Sequence, residues 1–591
     1  MDLFDTLPDH PALTQAILTY IGNKRTLLPL INEGIDIALE TLSGASRSPI
    51  RFADPFTGSG VVARLARLRG FSVHANDLEE YARPFGTAFL QTGPDDLEEL
   101  FAPVAQRLID TRTLTGVPDS SSYETVLHGM NALTEPEDPR SYYFANHYAP
   151  RSTDNPDPER ERIFYTQENA RKIDAIQEII HNQALVSPKA RDVLLASLLV
   201  EMSIHINTSG VMKGFHHGWG GRGGDALSRI MAPIALQPLP LPTGPAGTVT
   251  TGDAAEIFAS PEAGHFDICY ADPPYNLHQY GANYHLLTTA TRNDRYDPGP
   301  VTRGSRAGIR KDHNRSDFCR RSGIDSVSRA HAAMASFFRA IDSRFVLLSY
   351  NNDGIIPTKE LVQLLSDGRR NSVRVLAKKH TKFRGGKNTQ ASLHTNEYLF
   401  IVEREKRQSL SGYDDLQKRV ATMTLERNLR DRYISPVRWA AVPGCSADRI
   451  PLTDVPFTDS IPFTTSTPPA HTVTPGYRLL AAGREVARID NRFRISHLSI
   501  QNDDDPRNLR ASSVPKAEIF SLYLESGQYA DALYLLRTFK IAKHRQSFER
   551  FAYLLAPHLD SRQMLDLRTL FMRVTGTQMR ESDPPIARST D

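Results

Sequence analysis

Residues 266–276 read FDICYADPPYN. From Phe266 to Tyr270 the run is apolar except for one carboxylate. The chain then enters Asp272-Pro273-Pro274-Tyr275. Two consecutive prolines fix φ and remove two backbone donors, so the segment cannot continue a central strand. It reads as a strand stopping in a stiff ledge at its carboxyl end, where open α/β sheets bind ligands. Asp272 and the carbonyls around it offer acceptors, and Tyr275 offers a flat face. Acceptors beside a ring suit a planar group carrying an exocyclic amine, which describes a nucleobase.

Upstream, IRFADPFTGSG (50–60) reads as a short strand entering a glycine turn. VVARLARLRG (61–70) reads as an amphipathic helix closed by Gly70, and FSVHANDLEE (71–80) as a second strand reaching Asp77. This strand–turn–helix–strand unit opens a doubly wound α/β domain. Gly58 and Gly60 allow a tight turn against a ligand, although a plain strand–helix turn would use the same glycines. The spacing is not G-x-G-x-x-G and no Lys-Ser/Thr follows, which disfavours a phosphate loop. Asp77 can accept hydrogen bonds from both ribose hydroxyls of a nucleoside, so the expected ligand bears adenosine.

The α/β rhythm breaks over 85–245. That stretch holds the polar HYAPRSTDNPDPERERIFYT (147–166), two helical segments and the loop NTSGVMKGFHHGWGGRGGD (207–225). It reads as an insertion into the sheet domain. The rhythm resumes with GTVTTGDAAEIF (247–258), the quoted strand, RFVLLSYNNDG (344–354), TKELVQLLSDG (358–368) and EYLFIVE (397–403). The organisation expected is therefore two halves of one sheet domain, 1–84 and 246–405, around the 85–245 insertion. A charged segment and a Pro/Thr-rich linker (VPFTDSIPFTTSTPPAHTVTPG, 455–476) fill 406–514, and a helical accessory region occupies 515–591. One helical hairpin there does not make a tetratricopeptide array, because solenoids need repeats.

At 591 residues the chain exceeds one ordinary domain. Lys+Arg number 70 against 68 Asp+Glu, a net +2, so bulk charge names no partner and any nucleic-acid site must come from local clustering. The three cysteines, Cys269, Cys319 and Cys445, are far apart and in no metal-ligand spacing, which fits a reducing compartment and no structural metal. No apolar run approaches the ~18 residues of a membrane span. The acidic MDLFDTLPDHPALTQ start lacks a signal-peptide core. A soluble, cytoplasmic protein is expected.

YIGNKRTLLPLI (20–31), DPFTGSG (54–60) and ADPPYN (271–276), in that order with a long insertion before the third, resemble the Dam-like, D12 class of adenine-specific DNA methyltransferases. FYTQENARKIDAIQEI (164–179), LSYNNDGI (348–355) and NEYLFIVE (396–403) resemble family segments too, so the likeness covers about residues 12–404. It implies a Rossmann-like sheet domain that uses S-adenosylmethionine (AdoMet) to methylate the exocyclic N6 of adenine, in restriction–modification or a related defence system. By the same resemblance Tyr20 and Lys24 meet the cofactor, Lys24 at its methionine end. Family members often carry Gly-Gly-Lys where this chain has Gly22-Asn23-Lys24. Asp54, Phe56, Gly58 and Gly60 line the methionine and adenosine side, Asp77 holds the ribose, and Asp253 touches the cofactor adenine. Asp272, Pro273, Pro274 and Tyr275 take the target base, Asp272 also facing the cofactor. The target amine is buried in duplex DNA, so the base must flip out. Stacking on Tyr275 returns ~1–3 kcal/mol of the unstacking cost. Asp272 and the Pro273 carbonyl accept hydrogen bonds that strengthen as charge develops on the amine. No Pro-Cys pair stands ready as a covalent nucleophile, and Cys269 reads as a buried small hydrophobe.

Two basic runs flank the later motifs. Residues 302–323 hold seven Lys/Arg against two Asp, and 368–387 hold eight and no acid. They read as phosphate contacts or as a solvated basic surface. The candidates are Lys213, Arg222, Arg303, Arg306, Arg310, Lys311, Arg384 and Lys387. His216 and His217 suggest a metal, but no third ligand has sensible spacing, so no metal is expected. Sequence readout is placed in 85–245. Double-stranded DNA is the expected partner, with a cognate restriction or defence subunit at the C-terminal region. The alternatives are N4-cytosine methylation, whose motif usually opens with Ser, RNA methylation, which often shows Asn-Pro-Pro-Tyr, and a methylase-like recognition subunit of a defence complex.

Overall fold

The computed structural model describes residues 10–15, 17–18, 21–42, 49–111, 121–221, 223–302, 304–320, 326–351, 354–381, 394–417 and 419–420. Beyond these it describes 449–451, 460–466, 476–481, 484–486, 529, 533, 536, 548–549, 552–575 and 578–579. The chain divides into two compact units, 1–413 and 414–591.

The first unit is built on seven strands: β1 (Arg51–Asp54), β2 (Ser72–Asp77), β3 (Thr248–Thr251), β4 (Phe266–Ala271), β5 (Ser343–Asn351), β6 (Ser372–Thr381) and β7 (His394–Glu403). They lie in the order β3-β2-β1-β4-β5-β7-β6. The first five are parallel to one another, and β7 runs antiparallel between β5 and β6. Strand β4 is buried at every position, which is how a central parallel strand reads when both faces are covered. The order reverses at β1, so the carboxyl ends of β1 and β4 open the crevice where such sheets take ligands.

One core joins helix Leu28–Leu42 and helix Val61–Leu68 to the sheet through Ile31, Ile35, Val62, Leu65, Phe52 and Ile268. Arg64 and Arg67 on the second helix are buried as well. Arg67 donates to Phe89 O and Thr92 O, both at 2.8 Å, and fixes the chain where it leaves the sheet. Between β2 and β3 the helices Ala82–Gln91, Leu97–Asp110, Ser122–Ala132, Gln167–Ile180 and Pro188–Ile204 share another core, around Phe89, Phe101, Val126, Ile173 and Leu195.

In the second unit four short antiparallel strands (449–451, 460–466, 476–481 and 484–486) form a sheet. The stretch 455–476, expected to be an irregular linker, thus contains a strand at Ser460–Ser466. Ile461, Phe463, Thr464 and Thr465 carry enough strand preference to outweigh the surrounding prolines. Leu536, Phe548, Leu555, Leu567 and Phe571 form a separate small core with helix Ser561–Thr575. Among the described residues no helix is long and apolar enough to cross a membrane.

Candidate active site

Asp54 closes β1, Asp77 closes β2, and Asp272 follows β4 immediately. These carboxyl ends frame a cleft of about 970 Å³ of empty space, partly open to solvent. Lys24, Asp54, Phe56, Gly58, Asp77 and Asp253 line it together with the ledge from Asp272 to Tyr275. Gly60 does not line the cleft. At φ 76° it turns the chain into helix Val61–Leu68. Tyr20 lies outside the described residues.

Local chemistry builds each wall. The glycine turn is pinned to β2 by Thr57 N–H donating to Asn76 O at 2.9 Å. Asp77 staples it further: Oδ2 accepts from Gly58 N at 2.7 Å and Oδ1 from Glu79 N at 2.8 Å. Each oxygen retains a lone pair, so Asp77 can still accept from a ligand while holding the turn. Asp253 Oδ1 caps helix Ala254–Ala259 by accepting from Ala255 N at 2.8 Å. The lysine turn needs Gly22, at φ 82°, where a Cβ would stand 3.3 Å from Tyr280 Oη. Tyr280 Oη donates to Ile21 O at 3.1 Å, and Ile21 N donates to Tyr284 Oη at 2.8 Å. Asn23 Oδ1 accepts from Arg25 N at 2.9 Å, so the residue standing in a common glycine position closes an Asx turn.

The centre of the site is an ion pair: Lys24 Nζ lies 2.8 Å from Asp272 Oδ2. The same ammonium donates to Gly22 O at 3.2 Å and sits 5.5 Å from the centroid of the Tyr275 ring. Burial opposes the charge of Lys24, but Asp272, Tyr270 and Glu397 together outweigh it and raise its pKa. Burial pushes Asp272 up to about 6, with Lys24 restraining the rise. Asp54 has no such cation. Burial, reinforced by Asp272 and Asp77, raises it to about 8, and its Oδ1 has no hydrogen-bond partner among the described residues. Burial lifts Asp77 only to about 6, because backbone N–H groups stabilise its anion.

Several residues of the site escape sequence reasoning. Glu79 lines the cleft two residues past Asp77, and burial together with Asp77 raises it to about 8. Glu397, at the start of the apolar part of β7, is 4% exposed, and its charge acts on Lys24, Asp272 and Tyr275. A carboxylate abutting the aromatic run of NEYLFIVE is the signal that points to it. Tyr280, Ser316 and Phe318 also line the cleft. Phe318 meets Phe56 edge-on with ring centroids 5.3 Å apart. Nothing in the local pattern of 302–323 distinguishes these inward residues from their basic neighbours.

The basic candidates separate. Lys213 and Lys311 are exposed. Arg310 is a correction: it is 1% exposed and forked onto Asp294 at 2.7 and 2.6 Å, with Asp312 at 2.8 Å. Its planar guanidinium is consumed by an internal carboxylate network, so it offers nothing to a phosphate. Arg306 is engaged too, ion-paired to Glu159 and hydrogen-bonded to His217 Nε2 at 3.1 Å. Arg222, Arg303, Arg384 and Lys387 lie outside the described residues. Among the described residues no three His, Cys, Asp or Glu side chains are grouped to hold a metal ion.

Fold and site define an α/β enzyme organised around a carboxyl-end cleft. Residues 20–299 match the D12 class N6 adenine-specific DNA methyltransferases. Type II methyltransferase M.NlaIII of Neisseria lactamica is 26% identical over 394 residues, covering 66% of this chain and 99% of that protein. Type II methyltransferase M.CviAII of Paramecium bursaria Chlorella virus 1 is 26% identical over 389 residues, 65% of this chain and 97% of that protein. Modification methylase StsI of Streptococcus sanguinis is 26% identical over 392 residues, 66% of this chain but 52% of that protein. The chain thus spans nearly all of the first two relatives and about half of the third. No solved structure matches it.

Proposed function

We propose that the protein is the modification methylase of a restriction–modification system, methylating N6 of an adenine flipped out of double-stranded DNA, with AdoMet as methyl donor. The observation that carries this reading is the Lys24–Asp272 pair standing beside Tyr275 on the proline ledge. The fit of the cleft to AdoMet rests on its buried carboxylates. Asp54 Oδ1 is an orphaned acceptor, and Asp77 keeps a lone pair on each oxygen. When bound, AdoMet supplies an electrophilic methyl group on a positively charged sulfur.

The chain's own residues do the rest. Asp77 and Glu79 accept from ribose hydroxyls, Asp253 presents its free oxygen to the cofactor adenine, and Phe56 packs against it. Lys24 has one donor left after Asp272 and Gly22, and offers it to a carboxylate. Tyr275 stacks the flipped base. Asp272 and the Pro273 carbonyl accept the two amine hydrogens and so leave the nitrogen lone pair free to attack. They stabilise the positive charge that develops there, a contribution worth ~10²–10³ in rate for one well-placed group. Asp272 at the ledge favours adenine over the N4-cytosine alternative. We assign sequence readout to 85–245, whose helices hold their own core, contact with a cognate restriction subunit to the second unit, and a cytoplasmic location. Incubation with tritiated AdoMet and plasmid DNA, followed by base-modification sequencing, tests the reading. N6-methyladenine at one short sequence is expected. Label in cytosine, or none in DNA, overturns it.

A further inference from the structure

A basic recess borders the cleft across one doubly hydrogen-bonded pair. Gln279 Nε2 donates to Ser316 O at 3.1 Å, and Gln279 Oε1 accepts from Ser316 N at 2.8 Å. Ser316 also lines the cleft. A recess of about 860 Å³ of empty space adjoins the pair, lined by Lys213, His313, Arg315 and Arg320 besides Gln279 and Ala282.

Two segments far apart in sequence bring these cations together, and both are anchored on the stretch that follows the proline ledge. Met212, next to Lys213, donates its N–H to Asn283 O at 2.7 Å, and its carbonyl is hydrogen-bonded to His285 Nε2 at 2.9 Å. The second segment is fixed at several points. Asn314 Nδ2 donates to Leu78 O at 2.7 Å, Ser316 is locked to Gln279, Phe318 packs on Phe56, and Cys319 Sγ donates to His278 O at 3.2 Å. Asn314, Ser316 and Phe318 thus face the sheet and the cleft, whereas Arg315 between them is exposed. Lys213, Arg315 and Arg320 bring three positive charges. The acid that answers them is Asp317, ion-paired to Arg320 at 3.0 Å. An open recess with excess positive charge attracts an incoming anion.

We propose that this recess is a phosphate subsite that takes a DNA phosphodiester next to the target nucleotide. The inference rests on the reading that the cleft receives a base from DNA. A nucleotide whose base lies against Tyr275 must carry its backbone out of the cleft. Across Gln279 and Ser316 that backbone meets Lys213 and Arg315. Arginine and lysine hold phosphate oxygens without reading sequence, so the subsite sets the register of the strand and leaves recognition to other groups.

The test uses the full chain and a labelled duplex of arbitrary sequence, titrated by fluorescence anisotropy over a series of salt concentrations. Lys213→Ala and Arg315→Ala should each weaken binding and lower the log–log salt slope by about 0.9, the change for one lost phosphate contact on duplex DNA. Arg315→Lys should keep the slope. Lys359→Ala, at an exposed position on helix Thr358–Ser366, should leave it unchanged. AdoMet affinity by calorimetry should be the same for all of them, which certifies the fold. An unchanged slope in either alanine variant that still binds AdoMet overturns the subsite, as does an Arg315→Lys slope equal to that of Arg315→Ala. If Lys213→Ala loses AdoMet binding, the exposed Arg315 decides alone. A wild-type chain that binds AdoMet but no duplex at any salt overturns the DNA reading itself, a distinct failure.

Discussion

The two walls of the cleft handle buried carboxylates in opposite ways. On the ledge, Asp272 has Lys24 at 2.8 Å, and its pKa rises only to about 6. On the wall made by β1 and β2, Asp54 and Glu79 have no side-chain cation to restrain them, and both rise to about 8. Asp77, on the same wall, also rises only to about 6, because backbone N–H groups do for it what the cation does for Asp272. Burial without a partner raises the affinity for a proton, and a cation or fixed dipoles lower it again. The ledge is thereby kept charged and geometrically fixed, as the proposed acceptor of amine hydrogens must be. The opposite wall holds protons at neutral pH that a cationic ligand can displace.

The largest expected effect attacks the paired wall. Asp272→Ala should reduce methylation by about 10³-fold or more, while AdoMet binding stays measurable by calorimetry. Near-normal tritium transfer would show that the ledge carboxylate is not part of the chemistry. Next comes Lys24→Ala, which would make the ledge resemble the other wall. Asp272 would lose its restraining cation, and its pKa would climb. The acid limb of the kcat profile should move to higher pH, with a loss of about 10²-fold at pH 7 that recovers in part above pH 8. Removing one member of a buried pair should also cost about 3–5 kcal/mol in stability, read by denaturant titration. An unshifted pH profile would break the comparison between the walls.

A smaller effect is expected on the unpaired wall. Asp77→Ala should weaken AdoMet binding by about 1–3 kcal/mol, through lost acceptors for the ribose and a released glycine turn. Calorimetry giving wild-type affinity would remove Asp77 from the site. The smallest effect is a pH dependence of the ligand-free protein. Asp54 and Glu79 have folded-state pKa values near 8, raised above the unfolded ones, so between those limits the folded state binds more protons. Their contribution is therefore full at low pH and is lost as pH rises through about 8. His181 and His285 have lowered values, about 4 and 3, and work in the opposite direction, but only below about 6.5. From pH 6.5 to 8.5 the melting temperature should fall by a few degrees, and AdoMet binding should release protons. A rising melting temperature over that interval would show that the second wall is already ionised.

The parts of this site that are legible in the sequence are those whose chemistry is local. Two prolines stop a strand, Gly58 and Gly60 turn one, and Lys24 and Asp77 sit beside turns that announce themselves. The neighbours that set their ionisation are remote. Glu397 arrives on an antiparallel strand, and Ser316 and Phe318 arrive on a segment whose arginines dominate its composition. Counting charge also misreads Arg310, because Asp294 lies outside the basic run that was counted and fold geometry alone brings the two together. The strand at Ser460–Ser466 is hidden for a related reason. Proline density is visible from one segment, but pairing requires two.

The tyrosine ties on Ile21 also carry a consequence for biosynthesis. Ile21 N reaches Tyr284 Oη across 263 residues of chain. A ribosome adding about 5–20 residues per second must run for roughly 13–50 s before the second half of that clasp emerges. Throughout that interval the lysine turn lacks both tyrosine ties, and the nascent chain carries its motifs without a complete site. The newly made enzyme therefore becomes competent late and all at once, when the last strands dock.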